Sequence, residues 1–179
     1  MKNFFRKVAF GIGPNEQAPS DPLKWALDQV NDVPELSWKG KIYSEKELRK
    51  HYRDWVYGDR KVLRKKYKDN KTLYKTHKDI LRHKTGQKFW ESLEISIRHN
   101  EGINSSSPVL AKLWMFWGNF FAISEKDFLA NYSTGAYQRE IIRPNLNQSF
   151  EKMVYDVTTS WAMILSLIHI SEPTRPSII

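Results

Sequence analysis

The stretch from Val109 to Ile123, VLAKLWMFWGNFFAI, holds five aromatic rings and a single charge, Lys112. Leu110, Leu113, Trp114, Trp117, Phe120 and Phe121 recur at helical spacing, and Phe116 and Ile123 fill much of the remaining circumference. A helix that is apolar nearly all round is buried on most of its faces. It is too short for a bilayer, which takes about 20 apolar residues. We therefore expect a core helix against which the other segments pack. Leu113, Trp114, Trp117, Phe120 and Phe121 form its core list, joined by Phe150 and Val154 from a later segment.

The rest of the chain reads as helices separated by turn residues. Lys2 to Gly13 starts amphipathic and is broken by Gly11 and Gly13. Asp21-Pro22 is an N-cap followed by proline at the first helical position, and Leu23, Ala26, Leu27 and Val30 form the expected stripe. Ser44 to Glu47 is a capping box, opening a helix with Leu48, Tyr52, Trp55 and Val56 on one face. Phe89, Trp90, Leu93 and Ile97 carry helical spacing to about His99. NEGINSSSP, residues 100 to 108, reads as the clearest loop. Glu125 to Tyr137 is mixed, with Phe128, Leu129 and Tyr132 apolar. Ala136 to Ile142 allows one or two helical turns before Pro144. Asn147 is placed to cap a last helix. No strand pair and no internal repeat emerge. The expected fold is all-α: an irregular multi-helix array around the aromatic helix.

Charge is concentrated. The chain carries +9 overall, yet residues 60 to 88 alone hold twelve Lys or Arg against Asp69 and Asp79, a net +10. The remainder is therefore close to neutral. The spacing predicts a basic helical insert at about 59–88, broken near Asp69-Asn70. Two readings stand side by side. One is a solvated helical face. The other is contact with nucleic acid or an anionic surface through Arg64, Lys65, Lys66, Lys68 and Lys75, with Tyr67 and Tyr74 for stacking.

The tail LSLIHISEPTR, Leu165 to Arg175, resembles a translated sequencing-library adapter, whose bases fit a reverse translation of these eleven residues. Residues 165–179 are accordingly set aside from fold reasoning, His169 with them. On this reading residues 1–164 are the N-terminal part of one helical domain whose natural sequence continues differently. The missing C-terminal half would be its first partner. No secretory leader is visible at the start, so the cytoplasm is the default compartment.

Chemical signatures are few. Cysteine is absent, so thiol and disulfide chemistry are excluded. His51, His77, His83 and His99 are scattered without ligand spacing, and neither a metal site nor a cofactor motif is expected. No catalytic residue is identified. Glu91 and Glu94 share a face, which reads as solvated. Asn119 inside the apolar helix is expected to be buried and tied to a loop backbone. Arg139 and Arg143 stand four apart beside Glu140 and could clamp a carboxylate or phosphate. The favoured alternative is that they pair with Glu140, Asp156 or a carboxylate in the missing half of the domain.

Three segments in the right order carry a family resemblance. Arg6–Glu16, RKVAFGIGPNE, resembles an opening written R-x-x-F-G-x-x-P-x-E. Leu110–Ser124, LAKLWMFWGNFFAIS, resembles L-x-x-K-x-x-x-F-W-x-N-H-F-x-x-S. Tyr137–Met163 resembles a stretch that runs through an Arg/Glu turn into R-P and ends near V-T-x-x-P-A-M. Together they are similar to the Domain of Unknown Function 1800 family of bacterial proteins. The resemblance implies a longer protein of uncharacterised activity, with an N-E-N-F-A-R-E-like block beyond Met163. Where the family pattern has histidines flanking Asn119, this chain has Gly118 and Phe120. Any role those histidines serve in relatives is not carried here.

Overall fold

A computed structural model describes residues 2–12, 17–124 and 130–168. Their regular structure is helical throughout, with no strand among the described residues. The first helices are α1 (Lys2–Val8), α2 (Pro22–Val30) and α3 (Glu45–Arg53). A π-helical turn, Asp54–Asp59, carries α3 on into α4 (Arg60–Lys66). Then come α5 (Lys71–Lys84), α6 (Gln87–Asn104) and α7 (Pro108–Phe120). Helix α8 (Ala130–Tyr137) passes through a second π turn, Gln138–Ile142, and a 3-10 turn, Arg143–Asn145. Helices α9 (Phe150–Thr159) and α10 (Trp161–Ile168) follow.

Local chemistry sets the helix starts. Asp21 accepts from Lys24 N–H ahead of Pro22. Ser44 and Glu47 bond reciprocally as a capping box, which satisfies two otherwise orphaned donors. Asn70 caps α5 by accepting from Leu73 N–H. The last cap lies two residues later than expected: Ser149 Oγ accepts from Lys152 N–H, while Asn147 donates to Asn31 O in the α2–α3 loop.

Three apolar clusters form the core. One joins Ala9, Ala26 and Val109, bringing α1 and α2 against the start of α7. A second joins Leu48, Trp55, Trp90, Tyr132 and Ala136 from α3, its π turn, α6 and α8. The third joins Trp114, Ile123, Tyr137, Ile142, Met153, Val157 and Ala162. Helix α7 serves the first and third clusters, and α8 with its π turn serves the second and third. The organising role expected of α7 alone is therefore shared with α8. The lone charge of α7 closes α1: the Lys112 ammonium donates to Arg6 O and Ala9 O, carbonyls left unsatisfied at a helix end.

Several expectations are corrected. Trp114 is buried, and Leu113, Trp117, Phe121 and Val154 are half-buried, but Phe120 is 62% exposed and Phe150 57% exposed. Both rings lie at the solvent edge of the third cluster, against Trp117. Asn119 is exposed as well, so no buried amide has to be satisfied there. In α2 the packed face is rotated toward Trp25, Ala26 and Val30, leaving Leu23 and Leu27 in solvent. The polar stretch from Asn100 to Asn104 continues α6, and only Ser105–Ser107 is a connector. Its polar residues bond to one another and to Ser37, so they serve a helix rather than a loop. Phe128 and Leu129 lie outside the described residues, as does His169. Leu165–Ile168, set aside as adapter-derived, continue α10, where Ser166 Oγ accepts from Ser124 N–H.

Candidate functional site

The two arginines singled out by their spacing lie at the start of the second π turn and just beyond it. Arg139 is inside the protein, its side chain 5% exposed. Its fork is filled by Glu94 of α6: Nε donates to Oε2 at 2.8 Å and Nη2 to Oε1 at 2.7 Å. Nη2 also donates to Tyr43 O at 2.7 Å. Arg143 donates to Pro34 O at 2.6 Å and to Glu101 Oε1 at 3.3 Å, and its guanidinium lies 5.9 Å from the Trp114 ring centre. Both cations are thus held by carboxylates two helical turns apart on α6. Charge-assisted forks of this kind fix orientation, and here they lock α6 to the π turn and to the 31–44 loop.

The electrostatics follow from those partners. Burial by itself would raise the Glu101 carboxyl. The Ser37 N–H, the Ser37 and Ser105 hydroxyls and the Arg143 charge outweigh it and hold the group below its ordinary value. Glu140 stays outside the fork: its Oε1 is 3.7 Å from Arg139 Nη1 and accepts from Glu45 N–H. Burial raises its carboxyl, and the Glu45 N–H and Arg139 only partly oppose that. Asp156 pairs with Lys152 and Asn145 instead of an arginine, and these hydrogen bonds lower its carboxyl.

A cleft of about 180 Å³ opens beside the Arg139–Glu94 pair, lined in part by Glu91, Arg98, Trp114, Thr134 and Gln138. Arg98 donates to Gln138 Oε1 at 2.9 Å, and Glu91 pairs with Lys88. The π turn shapes its floor. Gln138 O accepts both from Arg143 N–H, across the wide turn, and from Trp114 Nε1 at 2.8 Å. Gly118 backs onto this floor: a Cβ there would sit 3.2 Å from Gln138 Cδ. Glu94, Glu101, Arg98 and Gln138 were not chosen from the sequence as site residues, and Glu94 was read as solvated. The available signal was a carboxylate pair seven apart on α6, matched to arginines four apart.

The basic residues occupy a different place. Arg64, Lys65, Lys66, Lys68 and Lys75 are all exposed on the α4–α5 hairpin, and neither helix contains a buried side chain. None of the five takes part in a salt bridge among the described residues. The two tyrosines are half-buried. Tyr67 stacks on His77 with ring centres 4.5 Å apart, and Tyr74 lies 6.0 Å from Lys78 Nζ. The structure therefore brings the cations together on one hairpin and covers one face of Tyr67 with His77.

Among the described residues no group of three metal-ligating side chains comes together, and no helix is long and apolar enough to cross a membrane. A family model described as a protein of unknown function, DUF1800, matches residues 3–171. No curated protein matches, and no solved structure does.

Proposed function

Since the chain belongs to the DUF1800 family, we propose that it forms the N-terminal helical scaffold of such a protein. Its polar pairs hold helices together, and its aromatic face receives the remainder of the same domain. The observation that carries this is the ring cluster on α7 and α9. Phe116, Phe120 and Phe150 are each more than half exposed, and they connect through Trp117 to Phe121 at ring separations of 5.0–6.3 Å. Trp117 and Phe121 pack on the third core cluster, so the exposed rings extend an existing core. Contiguous apolar surface of this kind marks an interaction site. The test is to read the natural locus beyond codon 164 and express the longer protein. Cooperative melting of the longer protein, with dye-accessible apolar surface lost, supports the reading. A natural stop at codon 165 contradicts it.

A second reading concerns the hairpin, and a specific observation favours it. Twenty-one helical residues of α4 and α5 bury no side chain fully, Leu81 packs at the edge of the second cluster, and Arg64, Lys65, Lys66 and Lys75 stay exposed without a salt bridge among the described residues. The hairpin suits an anionic polymer or surface. Binding to a labelled oligonucleotide or to phosphatidylserine vesicles should weaken linearly on a log–log plot against salt. No salt-sensitive binding to either at low ionic strength removes this reading.

A further inference from the structure

The α3 end of the basic rod carries a cleft of about 410 Å³ lined by Lys46, Arg49, Tyr52, Arg53, Tyr57 and Trp161. Its walls are three cations and three aromatic rings. Tyr57 is 70% exposed. The Arg49 guanidinium stacks 3.5 Å from the Trp161 ring centre and pairs with Glu45 at 2.9 Å, yet its buried Nε has no hydrogen-bond partner. Lys46 and Arg53 are exposed and form no salt bridge among the described residues. The π turn Asp54–Asp59 joins α3 to α4 without a break, so the cleft and the cations from Arg60 to Lys66 lie along one rod.

We propose that this cleft is a base-stacking site for single-stranded nucleic acid, with the hairpin cations following the strand beyond it. The inference rests on the polyanion reading of the hairpin and assigns its ligand. Single-strand sites combine a positive groove with aromatic faces on which bases stack. Here Tyr57 offers the open face, Lys46 and Arg53 meet the phosphates, and Arg49, held on the Trp161 ring, adds positive charge to the wall. A duplex keeps its bases paired and stacked inside, so it can use the cations but not the rings. An anionic bilayer fits less well. On α5 the exposed apolar pair Leu73 and Ile80 lies roughly 180° round the helix from Lys71, Lys75 and Lys78, at about 100° per residue, so a flat surface that met the pair would engage only Lys84 among the α5 lysines.

The test uses the full chain at low protein concentration with three probes: oligothymidylate of about 15 nucleotides, within the usual site size, a duplex of equal length, and phosphatidylserine vesicles. We expect the single strand to bind about ten-fold more tightly than the duplex, and Tyr57→Ala to remove most of that preference, on the scale of one lost stacking contact. Tyr57→Phe should keep it, and Tyr57→Ala should leave duplex binding nearly unchanged. Because Tyr57 is exposed, its replacement spares the core; Arg53→Glu is the second variant and should weaken the single strand most. Equal binding of strand and duplex, tighter binding to vesicles, or indifference to both variants overturns the proposal while leaving a polyanion hairpin intact. No salt-sensitive binding to any probe overturns both.

Discussion

Arg139 and Glu94 show at the level of single residues how the polar groups of this chain are used. The pair is nearly solvent-free, with side chains 5% and 9% exposed, so removing one partner strands a buried charge. Glu94→Ala should destabilise by about 3–5 kcal/mol, read from urea midpoints. Glu94→Ala combined with Arg139→Met should cost clearly less than the sum of the single changes. A loss under about 0.5 kcal/mol, typical of surface changes, would place the pair in solvent and reopen the clamp for an external anion. Glu101 makes a pH prediction. Its carboxyl is held below the ordinary value of 4.5, so the stability it contributes is present above that pH and is lost as pH falls through the lower folded value. Stability should drop on acidification below about pH 4.5, and Glu101→Gln should flatten that drop. An unchanged acid limb in the variant would remove Glu101 from the account. The arginines were legible from their i, i+4 spacing. Their partners were not, because a carboxylate on a helix face reads the same whether water or a guanidinium lies opposite.

Helix starts were legible from local caps at Asp21 and Ser44, whereas Asn70 was read only as part of a break and the cap at Ser149 was placed two residues early. Boundaries were missed where tertiary contacts override local chemistry. Asn100–Asn104 looked like loop because its residues favour turns, but in α6 Glu101 reaches Ser37 and Ser105. Gly102 lies under the tip of the Met115 side chain, whose Cε would be 2.8 Å from a Cβ there. Helix α8 was obscured for the opposite reason: it packs through small residues, so its apolar rhythm is weak. A Cβ at Gly135 would sit 2.3 Å from Glu94 Cβ and Cγ. Gly135→Ala should therefore destabilise by about 1–3 kcal/mol through overpacking, although alanine favours a helix interior by about 1 kcal/mol over glycine. A stabilised Gly135→Ala protein, measured by thermal or urea melting, would mean that α6 and α8 do not approach as described.

At the scale of the whole molecule, the all-helical class followed from periodicity and the absence of any alternating stretch, and the family followed from three short motifs. The distribution of exposure did not. A helix can be greasy all round because protein covers every face, or because some faces await a cover, and composition is identical in both cases. In this structure Trp114 is 2% exposed while Phe116, two residues on, is 56% exposed. Our account treats that second face as a docking surface for further protein of the same domain. The direct measurement is sedimentation velocity of residues 1–164 over a range of concentrations, beside the variant Phe116→Ser, Phe120→Ser, Phe150→Ser. Concentration-dependent association of the parent chain, abolished in a variant that keeps its helical circular dichroism, is the predicted result. A parent chain that stays monomeric throughout, melts cooperatively and is unaffected by the three serines would contradict it.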